Sequence, residues 1–191
     1  MVKDAQKIAE KSAAELDHLR KSTIVSFLHD QLGKPFQFGV DSAAIGNARF
    51  DCSSLVSEAY KRIGIDIART SINQATYFGR VVEEHEPYEI GDLLFFSGEW
   101  GQYNPQFPMG IGHVAIYIGE GKVMHTTAWF EEGGIEKGEV IEESIEDALK
   151  RRAELAGNED DLVIVKRIFE GDFYYHEGQQ KPLPDIPGRV E

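Results

Sequence analysis

The side chain best suited to covalent chemistry in this sequence is Cys52, the single cysteine of the chain. Asp51 before it is a favourable helix N-cap residue, because its carboxylate can accept backbone N–H groups of the first helical turn. The apolar residues that follow recur at the spacing of one helical face, and Gly64 ends the run. They are Leu55, Val56, Ala59, Tyr60 and Ile63. The sequence therefore predicts that Cys52 lies in the first turn of a helix, on its core-facing side.

A cysteine in this position is either a reactive thiol or a small buried side chain. The partial positive charge at a helix N-terminus lowers the pKa of a thiol, and a neighbouring imidazolium lowers it further. Without such a partner, a buried cysteine behaves as a small hydrophobic residue. The choice between these interpretations depends on whether a histidine elsewhere in the chain reaches Cys52.

Two histidines are predicted to lie close together on one face of a β-hairpin. Strands at 112–118 and 122–127 flank the turn sequence Gly119-Glu120-Gly121. A three-residue loop there makes His113 and His125 diagonal neighbours, with their rings within reach of each other. Such a pair can be coincidental, can bind a metal ion, or can be a general base with the residue that orients it. No nearby Asp, Glu or Cys completes a metal site, so neither a metal nor another cofactor is predicted.

The order of predicted elements favours an α+β fold, with N-terminal helices packed on an antiparallel β-sheet. Residues 1–22 are predicted to be a helical extension, 23–170 the main domain and 171–191 an extended tail. A break at Lys21-Ser22-Thr23 is expected to separate the first helix from a second one that ends at Gly33.

The second half of the chain supplies most of the predicted strands. Besides the histidine hairpin, strands are expected at Leu93–Phe96 and Leu162–Phe169. Ser144 is expected to cap a helix that runs to about Leu155. Residues 98–111, which contain several aromatic side chains, are predicted to form an irregular loop.

Composition limits the classes of function. The chain has 191 residues and a formal net charge of −13, which argues against nucleic acid or an anionic membrane as partner. No run approaches the ~18 apolar residues of a membrane span, and the charged N-terminal residues do not form a signal-peptide core. The location is left open by the sequence: cytoplasmic as encoded, unless the protein is delivered by another route such as a phage particle or non-classical secretion. The sequence does not determine the oligomeric state.

Five segments resemble, in the same order, the motifs of the NlpC/P60 family of cysteine peptidases. They are Phe50–Val56, Arg69-Thr70-Ser71 with Gln74, Gly91–Phe96, Gly112–Gly119 and Val123-Met124-His125. The resemblance covers roughly Thr23 to Phe169. It implies a papain-like fold and, for most members of the family, cleavage of the peptide stems of bacterial cell walls.

The resemblance also implies roles for individual residues. Cys52 is the nucleophile, His113 the base and His125 the third polar residue, which orients His113. Asp51 and Ser53 match positions that help to bind the free amino end of the substrate. The implied reaction hydrolyses an amide bond through an acyl-enzyme, with a γ-D-glutamyl link to a diamino acid in a peptidoglycan stem peptide as the leading candidate.

The sequence departs from the family pattern near the predicted substrate groove. Phe36 and Phe38 stand where the family normally has tyrosine and tryptophan, so a tyrosine hydroxyl is missing. Phe36 and Trp100, the latter within 98–111, are predicted to contact the substrate. Three alternatives stay open: a thiol hydrolase or acyltransferase on a non-wall amide or ester, a non-catalytic interaction module, and a metal-dependent hydrolase that uses both histidines.

Overall fold

The computed structural model describes residues 2–98, 101–131, 135–156 and 162–169. The helices in these ranges are α1 (Val2–His29), α2 (Cys52–Lys61), α3 (Ser71–Tyr77) and α4 (Ile145–Ala156). None of the helices within the described ranges is both long and apolar enough to cross a membrane. The predicted tail at 171–191 lies outside the described residues.

The strands form a six-stranded sheet and two short hairpins. They are β1 (Arg80–Val81), β2 (Leu93–Phe96), β3 (Gln102–Asn104), β4 (Phe107–Ile111), β5 (His113–Gly119), β6 (Lys122–Thr126), β7 (Trp129–Glu131), β8 (Ile135–Lys137), β9 (Val140–Ser144) and β10 (Leu162–Arg167). The large sheet has the order β1-β10-β2-β5-β6-β9 with antiparallel neighbours, while β3 pairs with β4 and β7 with β8. The predicted α+β architecture with an antiparallel sheet is confirmed.

Helices cover the two faces of the large sheet. On one face, Leu55 and Val56 of α2 pack against Val114 and Ile116 of β5 in a core of buried side chains. On the other face, Ala148 of α4 packs in a second cluster that includes side chains of β2, β5 and β6. Successive side chains of a strand point to opposite faces, so His113 shares the α4 side of β5 rather than the α2 side. The two helices contact different pairs of strands, since α2 packs against β5 and β6 whereas α4 packs against β6 and β9.

The turn of the histidine hairpin is tighter than predicted. Gly119 pairs with Lys122, which leaves a two-residue turn at Glu120 and Gly121 with φ values of 53° and 71°. Positive φ at both central residues is the geometry of the turns that match the twist of a β-hairpin. A register irregularity after Tyr117 absorbs the change, so the strands before it keep the predicted alignment. His113 and His125 therefore lie on the same face, as predicted.

The predicted break in the N-terminal helix is wrong, because α1 runs continuously from Val2 to His29. Ser22 and Thr23 do not cap a second helix. Their hydroxyls instead donate within α1 to the Leu19 carbonyl, at 2.9 and 2.7 Å. Ile24 and Leu28 further along are fully buried in the core. The division at residue 22 stays a prediction, and α1 crosses that boundary.

The prediction of an irregular loop at 98–111 is also wrong, because most of this segment forms the β3–β4 hairpin. Phe107 points inward and is part of the main core, with 5% of its surface exposed. Tyr103 and Met109 face outward, with 66% and 62% exposed. The aromatic side chains of this segment thus divide between core and surface, and Trp100 lies outside the described residues.

A buried ion pair between Asp92 and Arg167 connects β10 to the turn before β2. Asp92 is fully buried and accepts two hydrogen bonds from the Arg167 guanidinium, both at 2.8 Å. Arg167 also donates to a carboxylate oxygen of Glu89 at 2.7 Å. This pair lies at the opposite end of β2 from Phe96, which pairs with His113. It holds the central strands in register from the side remote from the histidines.

Candidate active site

Cys52 is the first residue of α2, and a reciprocal cap fixes the start of that helix. The Asp51 carboxylate accepts the Ser54 N–H at 2.8 Å, while the Ser54 hydroxyl accepts the Asp51 N–H at 2.9 Å. This is a capping box, which satisfies two donors that a helix start otherwise leaves unpaired. The predicted N-cap is confirmed, and Cys52, which is partly exposed as a residue, lies at the positive end of the helix dipole.

The remaining acceptor sites of Asp51 are also occupied. Arg69 donates to both carboxylate oxygens, at 3.0 and 2.5 Å, and the Gly39 N–H donates at 3.0 Å. The Ser53 hydroxyl donates to Asp51 at 3.1 Å and accepts from Arg69 at 2.9 Å. In this arrangement, a substrate amine at Asp51 and Ser53 competes with Arg69. Their role in binding an amino end stays a prediction.

The thiol of Cys52 lies against the start of β5. The backbone amide of Val114, which directly follows His113, donates toward the sulfur and lowers the pKa of the thiol, as does the Ser53 amide. Burial is the larger effect and, together with the charge of Asp51, raises the pKa to about 11. The sequence predicts a depressed thiol pKa from the helix N-terminus and a neighbouring imidazolium, whereas burial is the largest effect here and raises the pKa.

The two histidines are in direct contact. His113 Nε2 and His125 Nδ1 are 2.8 Å apart, and the ring centroids are separated by 5.0 Å. Both residues are buried, His113 with 8% and His125 with 2% of the surface exposed. Burial and the nearby charge of Arg152 hold the pKa of His113 well below its ordinary value. His113 is therefore a neutral imidazole at pH 7.

The carboxylate of Glu143, which the sequence analysis did not identify, contacts His125, so that His113, His125 and Glu143 form a row of three side chains. His125 Nε2 and Glu143 Oε1 are 2.7 Å apart, and the Glu143 side chain is 9% exposed. Burial raises the pKa of Glu143, but hydrogen bonds from His125 and Arg151 outweigh it and bring the value to about 2. Arg151 of α4 contacts both Glu143 oxygens, at 2.8 to 3.2 Å. The contact of Glu143 with His125 could have been predicted from the pairing of β9 with β6 in the sheet.

The row of side chains also bears on the metal alternative. Both ring nitrogens of His125 are in hydrogen bonds, and one nitrogen of His113 is in the bond between the rings. Among the residues that the structure describes, no group of three His, Cys, Asp or Glu side chains is placed to hold a metal ion.

The predicted contacts of Phe36 and Trp100 with a substrate are not tested. Phe36 is buried, with 8% exposed, and its backbone forms a bridge to Phe50, two residues before Cys52. Trp100 lies outside the described residues.

The family resemblance is shown by comparison with known proteins. The sequence profile of the NlpC/P60 family matches residues 33–151, more than half of the chain, and this range includes Cys52, His113, His125 and Glu143. The chain belongs to the NlpC/P60 family. Arg152 is the first residue beyond the matched range.

Curated relatives within the NlpC/P60 family are similar over part of the chain. A γ-D-glutamyl-L-lysine dipeptidyl-peptidase from Bacillus cereus is 38% identical over 77 residues, 40% of this chain and 21% of that protein. A probable endopeptidase from Corynebacterium glutamicum is 34% identical over 102 residues, 53% of this chain and 41% of that protein. In both comparisons the chain spans less than half the length of the relative.

Solved NlpC/P60 domains share the fold. The P60 domain of an antigen from M. avium paratuberculosis has a TM-score of 0.55 at 19% identity, covering 82% of this chain and 98% of that one. RipD from Mycobacterium tuberculosis, described as a non-catalytic NlpC/p60 domain protein adapted to peptidoglycan binding, has a TM-score of 0.51 at 19% identity over 78% of this chain and 97% of that one. The fold is therefore the papain-like NlpC/P60 fold.

Proposed function

We propose that the chain is a cysteine peptidase that hydrolyses an amide bond in peptidoglycan stem peptides, such as the link between γ-D-glutamate and a diamino acid. The observation that carries this proposal is the row His113–His125–Glu143, whose first residue directly precedes Val114, the residue whose backbone amide donates toward the Cys52 sulfur. A nucleophile next to a base, with a third group that orients the base, is the arrangement of thiol acyl-transfer enzymes. The names of the peptidase relatives support the wall-peptide substrate.

The hydrogen bonds assign a proton position to each ring. Glu143 has a pKa of about 2, so it is ionised at neutral pH and can only accept. His125 must then donate from Nε2, and in its neutral form Nδ1 is the acceptor for His113 Nε2–H. Neutral His113 keeps its lone pair on Nδ1. That nitrogen is the one available to take a proton from Cys52.

The reaction begins from a thiol and a neutral imidazole rather than from an ion pair. Cys52 transfers its proton to His113 Nδ1 as the sulfur attacks the carbonyl carbon, and the backbone N–H of Cys52 is the proposed donor to the oxyanion. The C–N bond then breaks, and His113 gives the proton to the leaving amine. A water molecule, activated by His113, attacks the acyl-enzyme and releases the acid and the free thiol.

The role of Glu143 gives a first prediction. In Glu143→Gln, we expect kcat/KM to fall by about tenfold to a hundredfold, because the imidazolium formed during the reaction loses its buried counter-charge. His113 must be neutral to act as base, so activity is lost as pH falls through its pKa. That pKa already lies below the ordinary ~6.5. Removal of the negative charge should move the acid limb of the pH profile to still lower pH, which steady-state kinetics over a pH series would measure.

Glu142→Gln is the matched control for this prediction. Glu142 is the adjacent residue of β9, and its carboxylate contacts Lys122 and His29 instead of the active site. We expect this variant to keep the wild-type rate and pH profile. If Glu143→Gln behaves in the same way, Glu143 does not act through His125.

The proposed reaction is tested by digesting defined muropeptides and identifying the products by mass. We expect cleavage between the γ-carbonyl of D-glutamate and the amino group of the diamino acid, absent in Cys52→Ala. Iodoacetamide, applied at mildly alkaline pH because the thiol is protonated at pH 7, should inactivate the protein. EDTA should leave the activity unchanged. The opposite pattern would support the metal-dependent alternative.

A binding module is the second candidate, because the fold also occurs in RipD, whose domain is described as non-catalytic. Muropeptides that bind without being cleaved by the wild-type protein would favour that function. Cleavage of any of them removes it.

A further inference from the structure

The β3–β4 hairpin exposes apolar side chains although it is anchored in the core. Phe107 is buried in the main core, whereas Tyr103 and Met109 are largely exposed and Pro108 between the two β4 side chains is exposed as well. Clustered apolar side chains at a protein surface are typical of binding sites. The hairpin thus has one side for the core and one side that is accessible to a ligand.

Gly110 determines where the Tyr103 ring lies. Gly110 has a φ of 79°, a left-handed conformation that favours glycine, and a Cβ atom there would lie 3.1 Å from the ring. The ring therefore packs against the opposite strand in space that a larger residue would fill. Because 66% of Tyr103 is exposed, the rest of the ring is open to solvent. An aromatic surface that is held in place in advance loses little side-chain entropy when a ligand binds.

The hairpin is part of a stretch without acidic side chains, lysine or arginine. Residues 100–119 contain no Asp, Glu, Lys or Arg, although these four residue types make up 28% of the chain. The exposed polar side chains of the hairpin include Gln102 and Gln106, whose neutral amides both donate and accept hydrogen bonds. This surface therefore suits a neutral ligand rich in hydroxyl and amide groups better than a charged one.

Hydrogen bonds connect the hairpin to the start of α2 through α3. The Gln74 side-chain amide donates to the Ser53 carbonyl at 3.0 Å, and the Asn104 side-chain amide donates to the Thr76 hydroxyl at 2.8 Å. Gln74 and Thr76 are two residues apart in α3, which corresponds to about 3 Å along the helix axis. The hairpin is thus attached close to the helix turn that carries Cys52.

The acyl half of a stem peptide leads to the glycan strand. The amino end of the stem is joined through a lactyl group to an N-acetylated amino sugar, so two residues and that group separate the sugar from the scissile carbonyl. In extended form they span roughly 10 Å. Pyranose rings present C–H groups that stack on aromatic rings, and their hydroxyl and acetamido groups form hydrogen bonds with amides.

We propose that the exposed side of the hairpin, formed by Gln102, Tyr103, Gln106 and Met109, binds the N-acetylated amino sugars that carry the stem peptide. The proposal rests on the proposed amide hydrolysis and deepens it, because it assigns glycan-linked stems rather than free peptides as the substrate. A sugar ring stacks on Tyr103 beside Met109, and the two glutamines bond to its hydroxyl and acetamido groups. We call these four residues the glycan surface.

The test compares two substrates that differ in the glycan. One is L-alanyl-γ-D-glutamyl-diaminopimelate linked to its disaccharide, and the other is the same tripeptide with an acetyl group on its amino end, so neither has a free amine there. We expect the wild-type protein to prefer the disaccharide-linked substrate by about fivefold to tenfold in kcat/KM, as one aromatic contact typically provides. Tyr103→Ala should reduce this ratio to about one, whereas Tyr103→Phe keeps the ring and should retain the ratio.

Two further variants serve as controls. Tyr103→Leu keeps an apolar side chain without an aromatic ring and should lose most of the preference. A wild-type ratio in this variant would show that no sugar stacks on Tyr103. Leu32→Ala removes an exposed apolar side chain outside the hairpin and should keep the wild-type ratio. Melting temperatures show whether each variant is folded, and only folded variants are compared.

Binding separates this proposal from the proposed function. The dissociation constants of both substrates are measured on Cys52→Ala, with and without Tyr103→Ala, so that turnover is not needed. If the wild-type protein cleaves neither substrate but Cys52→Ala prefers the disaccharide-linked one in a Tyr103-dependent manner, the hydrolysis is wrong and the glycan surface stands. Equal dissociation constants, which are expected if this surface instead binds an apolar segment of another protein, overturn the glycan surface.

Discussion

Replacing Cys52 or His113 with alanine is expected to abolish hydrolysis, with a loss of at least about a thousandfold in kcat/KM for either variant. In the proposed mechanism, Cys52 provides the bond-forming atom. His113 is proposed to provide both the base for the attack and the acid for the leaving amine, so its removal would interrupt two steps. Residues that act as one unit lose activity together, and the double variant should be no slower than either single one. Steady-state kinetics on purified variants would measure these losses.

The same series distinguishes the two histidines. His125→Asn should be milder than His113→Ala, because an amide can still bond to the His113 ring. Equal losses for the two variants would instead favour a pair of metal ligands. Circular dichroism and melting temperature should be nearly unchanged in Cys52→Ala, which removes a single sulfur atom from a partly exposed residue. A variant at Cys52 with measurable turnover would contradict the proposed mechanism.

The largest loss of stability is expected from breaking the buried pair of Asp92 and Arg167. Asp92→Asn removes the buried counter-charge of Arg167, a residue with 3% of its surface exposed, and leaves only the partly exposed Glu89 carboxylate beside the guanidinium. Loss of one partner of a buried ion pair typically costs about 3–5 kcal/mol. For a domain of this size, such a loss lowers the melting temperature by roughly 10 °C. Thermal or urea unfolding would measure it.

A double-mutant cycle and a surface pair provide the controls. Asp92→Asn combined with Arg167→Met should be less destabilised than the sum of the single variants, because no unpaired charge then stays buried. Lys122→Gln breaks an exposed pair with Glu142 and should hardly change the unfolding midpoint. If Asp92→Asn melts with the wild-type protein, the pair does not hold β10 to the turn before β2.

Local sequence patterns were sufficient to predict the parts of the site that depend on neighbouring residues. The cap at Asp51 and the position of Cys52 follow from side chains within one helical turn. The shared face of His113 and His125 follows from strand alternation across a short turn, and it survives a change in the turn itself. These features need no knowledge of how distant elements pack.

The features that were missed depend on tertiary structure. Glu143 reaches His125 because β9 pairs with β6 after an intervening hairpin, and no local pattern indicates that pairing. The raised pKa of Cys52 depends on how completely the surrounding elements exclude water, which helix position does not reveal. Ser22 and Thr23 are good N-cap residues, yet the packing of Ile24 and Leu28 favours a continuous helix.

The burial of Cys52 also affects how the protein withstands oxidants. Peroxides and disulfides react with a thiolate far faster than with a thiol, and a pKa of about 11 leaves very little thiolate at neutral pH. The chain has no second cysteine to reduce a sulfenic acid by forming an internal disulfide. Slow oxidation of the resting thiol is therefore its main intrinsic protection. In the proposed mechanism, the sulfur becomes strongly nucleophilic only when His113 takes its proton, and the electrophile then closest to it is the substrate carbonyl.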